Sequence, residues 1–168
     1  MSMSTKLPSV RDAEVRGKRV LLRVDFNVLF SDGKVEDLYR INRTIPTIEY
    51  LSRKGAKVII ISHLSAGKNG SLSLVAKYLN NAEKSFPLGF IKATDLDLIA
   101  ESLKGMKDGD AAMLENIRLQ AGEEQNDKNF ARQLSELGDI YVNDAFSVSH
   151  RRHASIVGIA EFLPSYAG

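Results

Sequence analysis

Arg23, Asp25 and Asn27 alternate near the end of one apolar run, Arg19 to Asn27, and their side chains can bind a small polar molecule. In an extended chain, residues two apart share a face. Val20, Leu22, Val24 and Phe26 therefore point one way, and Leu21, Arg23, Asp25 and Asn27 the other. Polar side chains gathered at the end of a core strand suit a ligand cleft better than a packed layer. The pattern recurs along the chain. Ser62 and His63 follow a second apolar run, Glu115, Asn116 and Arg118 another, and Asn143 and Asp144 a third, which leads into His150-Arg151-Arg152-His153. Arg23, Arg40, His63, Arg118 and Arg151, with Arg152 as a further candidate, are cationic or hydrogen-donating. Arginine's planar fork matches phosphate and carboxylate oxygens in bidentate fashion. Asp25 and Asn27 can accept from hydroxyls. The set suits a small, hydroxylated, phosphorylated acid.

Each residue also has a plainer reading. Asp25 or Asn27 alone can cap a turn, and Glu115 and Asn116 can hold loop backbone. Asn143 and Asp144 can brace a turn. His63 alone suits a structural histidine, Arg40 and Arg43 solvated charges, and the His-Arg-Arg-His run a basic loop. Independent capping roles should not all coincide at strand ends, and the coincidence favours one cleft.

The elements that must position these groups follow from periodicity. Strands are expected over Val20–Val28, Lys57–Ser62, Gly89–Lys92, Ala111–Glu115 and Ile140–Asn143. Val58 to Ile61 is continuous and β-branched, as in a strand covered on both faces. Ile41, Ile45, Ile48 and Leu51 keep a helical spacing that Gly55 closes, with Pro46 either starting or kinking the helix. Leu72, Val75 and Leu79 mark a short helix. Thr94 is the expected N-cap of a helix bearing Leu96, Ile99 and Leu103, and Asp127 that of one bearing Phe130, Leu134 and Leu137, ended by Gly138. Residues 66–71 form a surface loop. Strands alternating with helices imply an α/β fold: a three-layer αβα arrangement on an open, mostly parallel, Rossmann-like sheet. In such sheets ligands bind beyond the carboxyl ends of the strands. The Pro164-to-Gly168 ending, without a final amphipathic element, reads like a linker.

Composition narrows the classes. A chain of 168 residues is most simply one domain. A net charge of +2 implies no bulk pull toward nucleic acid or membrane. The chain has no cysteine, so disulfide and thiolate chemistry are excluded. That suits the cytoplasm, the expected location. There is no Gly-x4-Gly-Lys-[Ser/Thr] or Gly-x-Gly-x-x-Gly phosphate loop, no His-Glu-x-x-His and no Gly-x-Ser-x-Gly. No nucleotide or metal site is recognisable.

Several stretches resemble the amino-terminal domain of the phosphoglycerate kinase family, over essentially the whole chain. They are Arg23-Val24-Asp25-Phe26-Asn27-Val28, Arg40-Ile41 with Pro46-Thr47-Ile48, Ser62-His63-Leu64, Leu114-Glu115-Asn116-Ile117-Arg118, and Tyr141-Val142-Asn143-Asp144-Ala145-Phe146 through Ser149-His150-Arg151-Arg152-His153. The resemblance implies a single substrate-binding domain over 1–168, with the nucleotide-binding domain absent from the chain. It implies that Asp25 and Asn27 hold the hydroxyl and carboxylate region of 3-phosphoglycerate. Arg40 is then the catalytic arginine, and His63, Arg118 and Arg151 complete the basic patch. The family passes a phosphoryl group between 1,3-bisphosphoglycerate and MgADP in glycolysis, giving MgATP, so these nucleotides are implied for the full-length enzyme and not for this domain. Neither nucleic acid nor membrane is an expected partner. The chain alone is expected not to turn over substrate.

The chain departs from the family pattern twice. Ser65-Ala66-Gly67 replaces the usual Gly-Arg-Pro, removing one arginine, with Lys68 nearby as a point charge. Leu29 stands where proline is usual. A degenerate or stand-alone anion-binding module is therefore a second expectation. A phosphohydrolase with Asp25 as nucleophile is a third, weakened because Asn27 stands where such enzymes pair a second aspartate.

Overall fold

The computed structural model describes residues 8–65 and 70–168. Ala66, Gly67 and Lys68 lie outside them. Six strands form one sheet in the order β5-β6-β4-β1-β7-β8, every neighbouring pair parallel. They are β1 (Arg19–Arg23), β4 (Lys57–Ile61), β5 (Leu88–Ile91), β6 (Ala111–Leu114), β7 (Ile140–Asn143) and β8 (Ser165–Ala167). A separate hairpin joins β2 (Phe30–Ser31) to β3 (Lys34–Val35). Its turn puts Asp32 and Gly33 at φ 49° and 71°, the left-handed pair that matches the strand twist.

The alternation read from the sequence produces two cores. Val20, Leu22, Val58, Ile60, Met113 and Val142 face α1 (Leu38–Arg53) and α2 (Ser73–Asn81). Leu21, Ile59, Ile61, Leu114 and Tyr141 face α3 (Leu96–Leu103) and α4 (Lys128–Ser135). Helices thus cover both faces of a parallel sheet, the three-layer α/β arrangement expected from the sequence. A single π-helical turn, Ala154–Gly158, packs on α4.

The first strand ends at Arg23, five residues short of the expected Val28. Ser62 causes this. Its hydroxyl accepts from the Phe26 amide at 2.8 Å and donates to the Val24 carbonyl at 3.1 Å, replacing the next rungs of the ladder. The same side chain ends β4 at Ile61. Alternation nevertheless persists past the ladder, because Val24, Phe26 and Val28 stay in the core of Val20 and Leu22. β5 is shifted by one residue, and β6 stops at Leu114; the Glu115 amide still bonds the Ile91 carbonyl while its carboxylate accepts from the Leu72 amide at the start of α2. Asp95, not Thr94, caps α3, since its carboxylate accepts from the Asp97 and Leu98 amides. Asp127 caps α4 as expected, accepting from the Phe130 amide. Pro46 neither starts nor ends α1; it lies inside it and lacks the N–H that would bond the Asn42 carbonyl. The linker-like ending is instead the edge strand β8, paired with β7 from Tyr141 to Asn143.

Gly138 follows α4 where the chain passes over β1. A Cβ there would lie 2.4 Å from Leu21 Cγ, and Leu21 is fully buried. Gly138→Ala is expected to destabilise the fold by about 1–3 kcal/mol through overpacking. Urea unfolding checks this; a midpoint equal to wild type contradicts it.

Candidate functional site

The carboxyl ends of β1, β4, β6 and β7 place the predicted residues together. Asp25, just past β1, is nearly buried. Its Oδ2 accepts from Arg40 at 2.6 Å and from the Ser147 hydroxyl, while Oδ1 accepts from the Asn27 amide at 3.0 Å. Burial alone would push this carboxyl up. The Ser147 and Asn27 bonds, with the Arg40 charge, outweigh it and hold the group below its ordinary value. Arg40 lies in the first turn of α1 and also bonds Asp37 through Nε at 3.2 Å.

Asn27 and Arg118 meet at Ser65. The Asn27 side-chain oxygen accepts from the Ser65 amide, and an Arg118 terminal nitrogen donates to the Ser65 hydroxyl, both at 2.8 Å. Arg118 Nε lies 3.4 Å from Glu124 Oε1, an ionic contact too poorly aligned to be a hydrogen bond. Asn116 and Glu115 hold this loop. Asn116 accepts from the Leu64 and Arg118 amides and donates to the Leu64 and Gly70 carbonyls. Glu115 accepts from the Leu72 and Asn116 amides and the Ser71 hydroxyl.

His63 is almost wholly buried beside Arg23. Arg23 donates to its Nδ1 at 3.2 Å, and Nε2 has no partner among the described residues. Burial, then the Arg23, Arg118 and Arg151 charges, lowers the imidazole to about 3, against the pull of Asp25. Arg151 follows the turn Phe146–Val148, and its amide bonds the Val148 carbonyl at 3.0 Å. All six predicted residues, Asp25, Asn27, Arg40, His63, Arg118 and Arg151, thus lie in one neighbourhood, joined by direct bonds, by Ser65 or by electrostatic reach.

Arg23 corrects the sequence reading. It faces inward at 1% exposure, bonding Ser155, the Val24 carbonyl and His63 instead of lining the cleft. Asn143 and Asp144 stand at the end of β7: Asn143 accepts from the Ala145 amide, and Asp144 lines the groove with Thr47 of α1. Burial pushes the Asp144 carboxyl up, against Thr47 and Arg43. Arg152 is exposed on the surface. Sequence reasoning missed Ser65, Ser147, Glu123 and Ser155. Ser147 lies in the Asn143-to-Arg151 stretch, where the recurring strand-end pattern could have flagged it. Glu123 reads as polar loop and gave no signal.

A groove of about 670 Å³ runs beside Asp25 and Arg40, also lined by Tyr39, Arg43, Asp144, Phe146 and Ser147. A second groove, about 500 Å³ between α3 and α4, carries Asp95, Asp97 and Glu136 and no cation, so an anion is repelled there. Among the described residues, no cluster of three or more histidine or acidic side chains could hold a metal ion, and no helix is long and apolar enough to cross a membrane.

The phosphoglycerate kinase family model matches residues 10–168. A phosphoglycerate kinase of Wolbachia sp. subsp. Drosophila simulans is 48% identical over 170 aligned positions, covering 96% of this chain and 42% of that protein. One from Coprothermobacter proteolyticus is also 48% identical, over 97% of this chain and 43% of its own length. Among solved structures, a phosphoglycerate kinase from Coxiella burnetii superposes with a TM-score of 0.81 at 33% identity, covering 96% of this chain and 41% of that one. The Pyrococcus horikoshii enzyme gives 0.80 at 31%, covering 96% and 42%. The chain spans about two fifths of the length of the curated relatives it matches.

The neutral His63 has a consequence for stability. An unfolded histidine takes a proton near pH 6.5, whereas His63 in the fold waits until about 3. Between those values the unfolded state binds more protons, so stability falls as pH drops through the window. His63→Gln is expected to lose less stability than wild type between pH 7 and pH 5. Urea midpoints at the two values test this; equal losses contradict it.

Proposed function

The chain belongs to the phosphoglycerate kinase family, and on that premise we propose that it is the part of such an enzyme that binds 3-phosphoglycerate and 1,3-bisphosphoglycerate. The observation that carries the reading is the buried His63 Nε2, without a hydrogen-bond partner among the described residues, in the neighbourhood of Arg118, Arg151 and Asp25. An unpaired buried donor among cations is satisfied by an anionic oxygen. Asp25 and Asn27 accept from the substrate's hydroxyl side. His63, Arg118 and Arg151 take its phosphate and carboxylate.

Arg40 is the catalytic residue of this reading. In the family reaction the phosphoryl group leaves the acyl oxygen of 1,3-bisphosphoglycerate for the terminal phosphate of ADP. Such transfers depend on positioning and charge neutralisation more than covalent help. Arg40 rests between Asp25 and Asp37, and the incoming phosphoryl group competes with those carboxylates for it. A magnesium nucleotide belongs in this reading to the length of the relatives that the chain does not span. The setting is glycolysis in the cytoplasm, and the chain by itself has no turnover.

One second reading has observations behind it. Leu29, 72% exposed where the family carries proline, and Ala66 in place of arginine favour a stand-alone or degenerate anion binder. The phosphohydrolase reading has less support: Asp25 is engaged by Arg40, Ser147 and the Asn27 amide, an acceptor's arrangement rather than an in-line nucleophile's.

Titration calorimetry without nucleotide tests the binding role. 3-Phosphoglycerate is expected to bind, and Arg118→Ala to weaken it about tenfold or more, the loss of one charged hydrogen bond worth ~1.5–3 kcal/mol. No binding at millimolar ligand contradicts the reading and favours the degenerate module. A coupled assay with MgATP and 3-phosphoglycerate is expected to show no turnover by the chain alone; a rate like that of a complete phosphoglycerate kinase contradicts this part.

A further inference from the structure

Two buried ions lie behind the cleft on either side of Ser155. Arg23 is 1% exposed and Glu123 fully buried. Charges buried in this way add little net stability over apolar side chains of similar volume, so their effect on their neighbours matters more than their own energy. The bonds between them run in one direction. Glu123 Oε2 accepts from the Ser155 amide at 2.9 Å, and Oε1 from the Ser155 hydroxyl at 2.6 Å. That hydroxyl has one proton, and it is donated to Glu123. Only lone pairs remain toward Arg23, whose Nε donates to it at 2.8 Å. Arg23 also donates to the Val24 carbonyl, which fixes the plane of its fork.

The end of this relay is His63. Guanidinium has no acceptor atom, so across the 3.2 Å contact Arg23 donates and His63 Nδ1 accepts. The ring proton must then sit on Nε2. That nitrogen is buried and has no hydrogen-bond partner among the described residues. We infer that Glu123, Ser155 and Arg23 are positioning residues that fix His63 as an Nε2–H donor toward an anionic ligand oxygen. The inference rests on the phosphoglycerate reading of the cleft for the identity of that ligand, but not for the state of the ring.

Long-range proton–nitrogen NMR of the ¹⁵N-labelled chain at neutral pH, without ligand, reads the ring directly. The expected spectrum of His63 has a protonated Nε2 and a lone-pair Nδ1 in a single tautomer. Ser155→Ala removes the acceptor that holds Arg23 Nε and lets the fork leave Nδ1, so it is expected to give averaged ring nitrogens from two tautomers and an affinity for 3-phosphoglycerate about tenfold weaker. Should that variant not fold, Glu123→Gln, which keeps the side-chain shape, carries the same expectation. A wild-type ring protonated on Nδ1, or charged, overturns the inference whatever the ligand does. A single unchanged tautomer in the folded variant overturns the relay. Loss of 3-phosphoglycerate binding by a wild-type ring that holds its Nε2 proton refutes the phosphoglycerate reading instead, and the ring assignment stands.

Discussion

The placement of the cleft depends on one buried charge, the Arg23 guanidinium at the end of the central strand. Burial pulls its pKa down, and Glu123, Tyr141 and Asp25 oppose that pull; arginine stays protonated in proteins. A charge so placed must find acceptors, and their positions tie together separate parts of the chain. Ser155 comes from the π-helical turn, the Val24 carbonyl from the end of β1, and His63 from the loop after β4. Tyr141 on β7 reinforces the turn by donating to the Ser155 carbonyl at 2.9 Å. The apolar sheet supplies the platform, and the need to satisfy one cation aligns the loops at its edge.

The remaining polar groups at the strand ends divide the labour. Ser62, Glu115, Asn116 and Asn143 direct their bonds to backbone or to neighbouring hydroxyls, and so hold the loops that carry the cations. Arg40 lines the groove beside Asp25, and Arg118 meets Asn27 at Ser65. Preorganisation of this kind reduces the ordering that a ligand would otherwise impose. The plainer readings of Glu115, Asn116, Asn143 and Asp144 are therefore compatible with a binding role for the cleft, because loop bracing is what makes the cleft rigid.

The layers were legible because burial on both faces leaves an apolar signature. Val58 to Ile61 is fully buried, and the alternation of β1 separates the two cores residue by residue. The strand ends were less legible: a serine hydroxyl can take over a ladder rung, and nothing in Ser62's type announces that it does. β8 was hidden by its length of three residues and by the adjacent proline and glycine. At the site, spacing and residue type singled out Asp25, Asn27, Arg40, His63, Arg118 and Arg151, which lie in one neighbourhood. The inward turn of Arg23 and the burial of Glu123 were invisible, since the arginine at the strand end reads as a cleft cation and a glutamate in a Gly-Glu-Glu loop reads as surface. Their placement is a property of packing around the π-helical turn, which no local pattern encodes.

The central claim is geometric: cations and donors distant in sequence converge on one anion-binding cleft beyond the carboxyl ends of β1, β4, β6 and β7. A crystal structure of the chain grown with 3-phosphoglycerate tests it most directly. The account predicts ligand density with an anionic oxygen within hydrogen-bond distance of His63 Nε2 and with Arg118 and Arg151 against its charged groups. Density in the acidic α3–α4 groove, or a ligand that leaves His63 Nε2 unpaired, would contradict it.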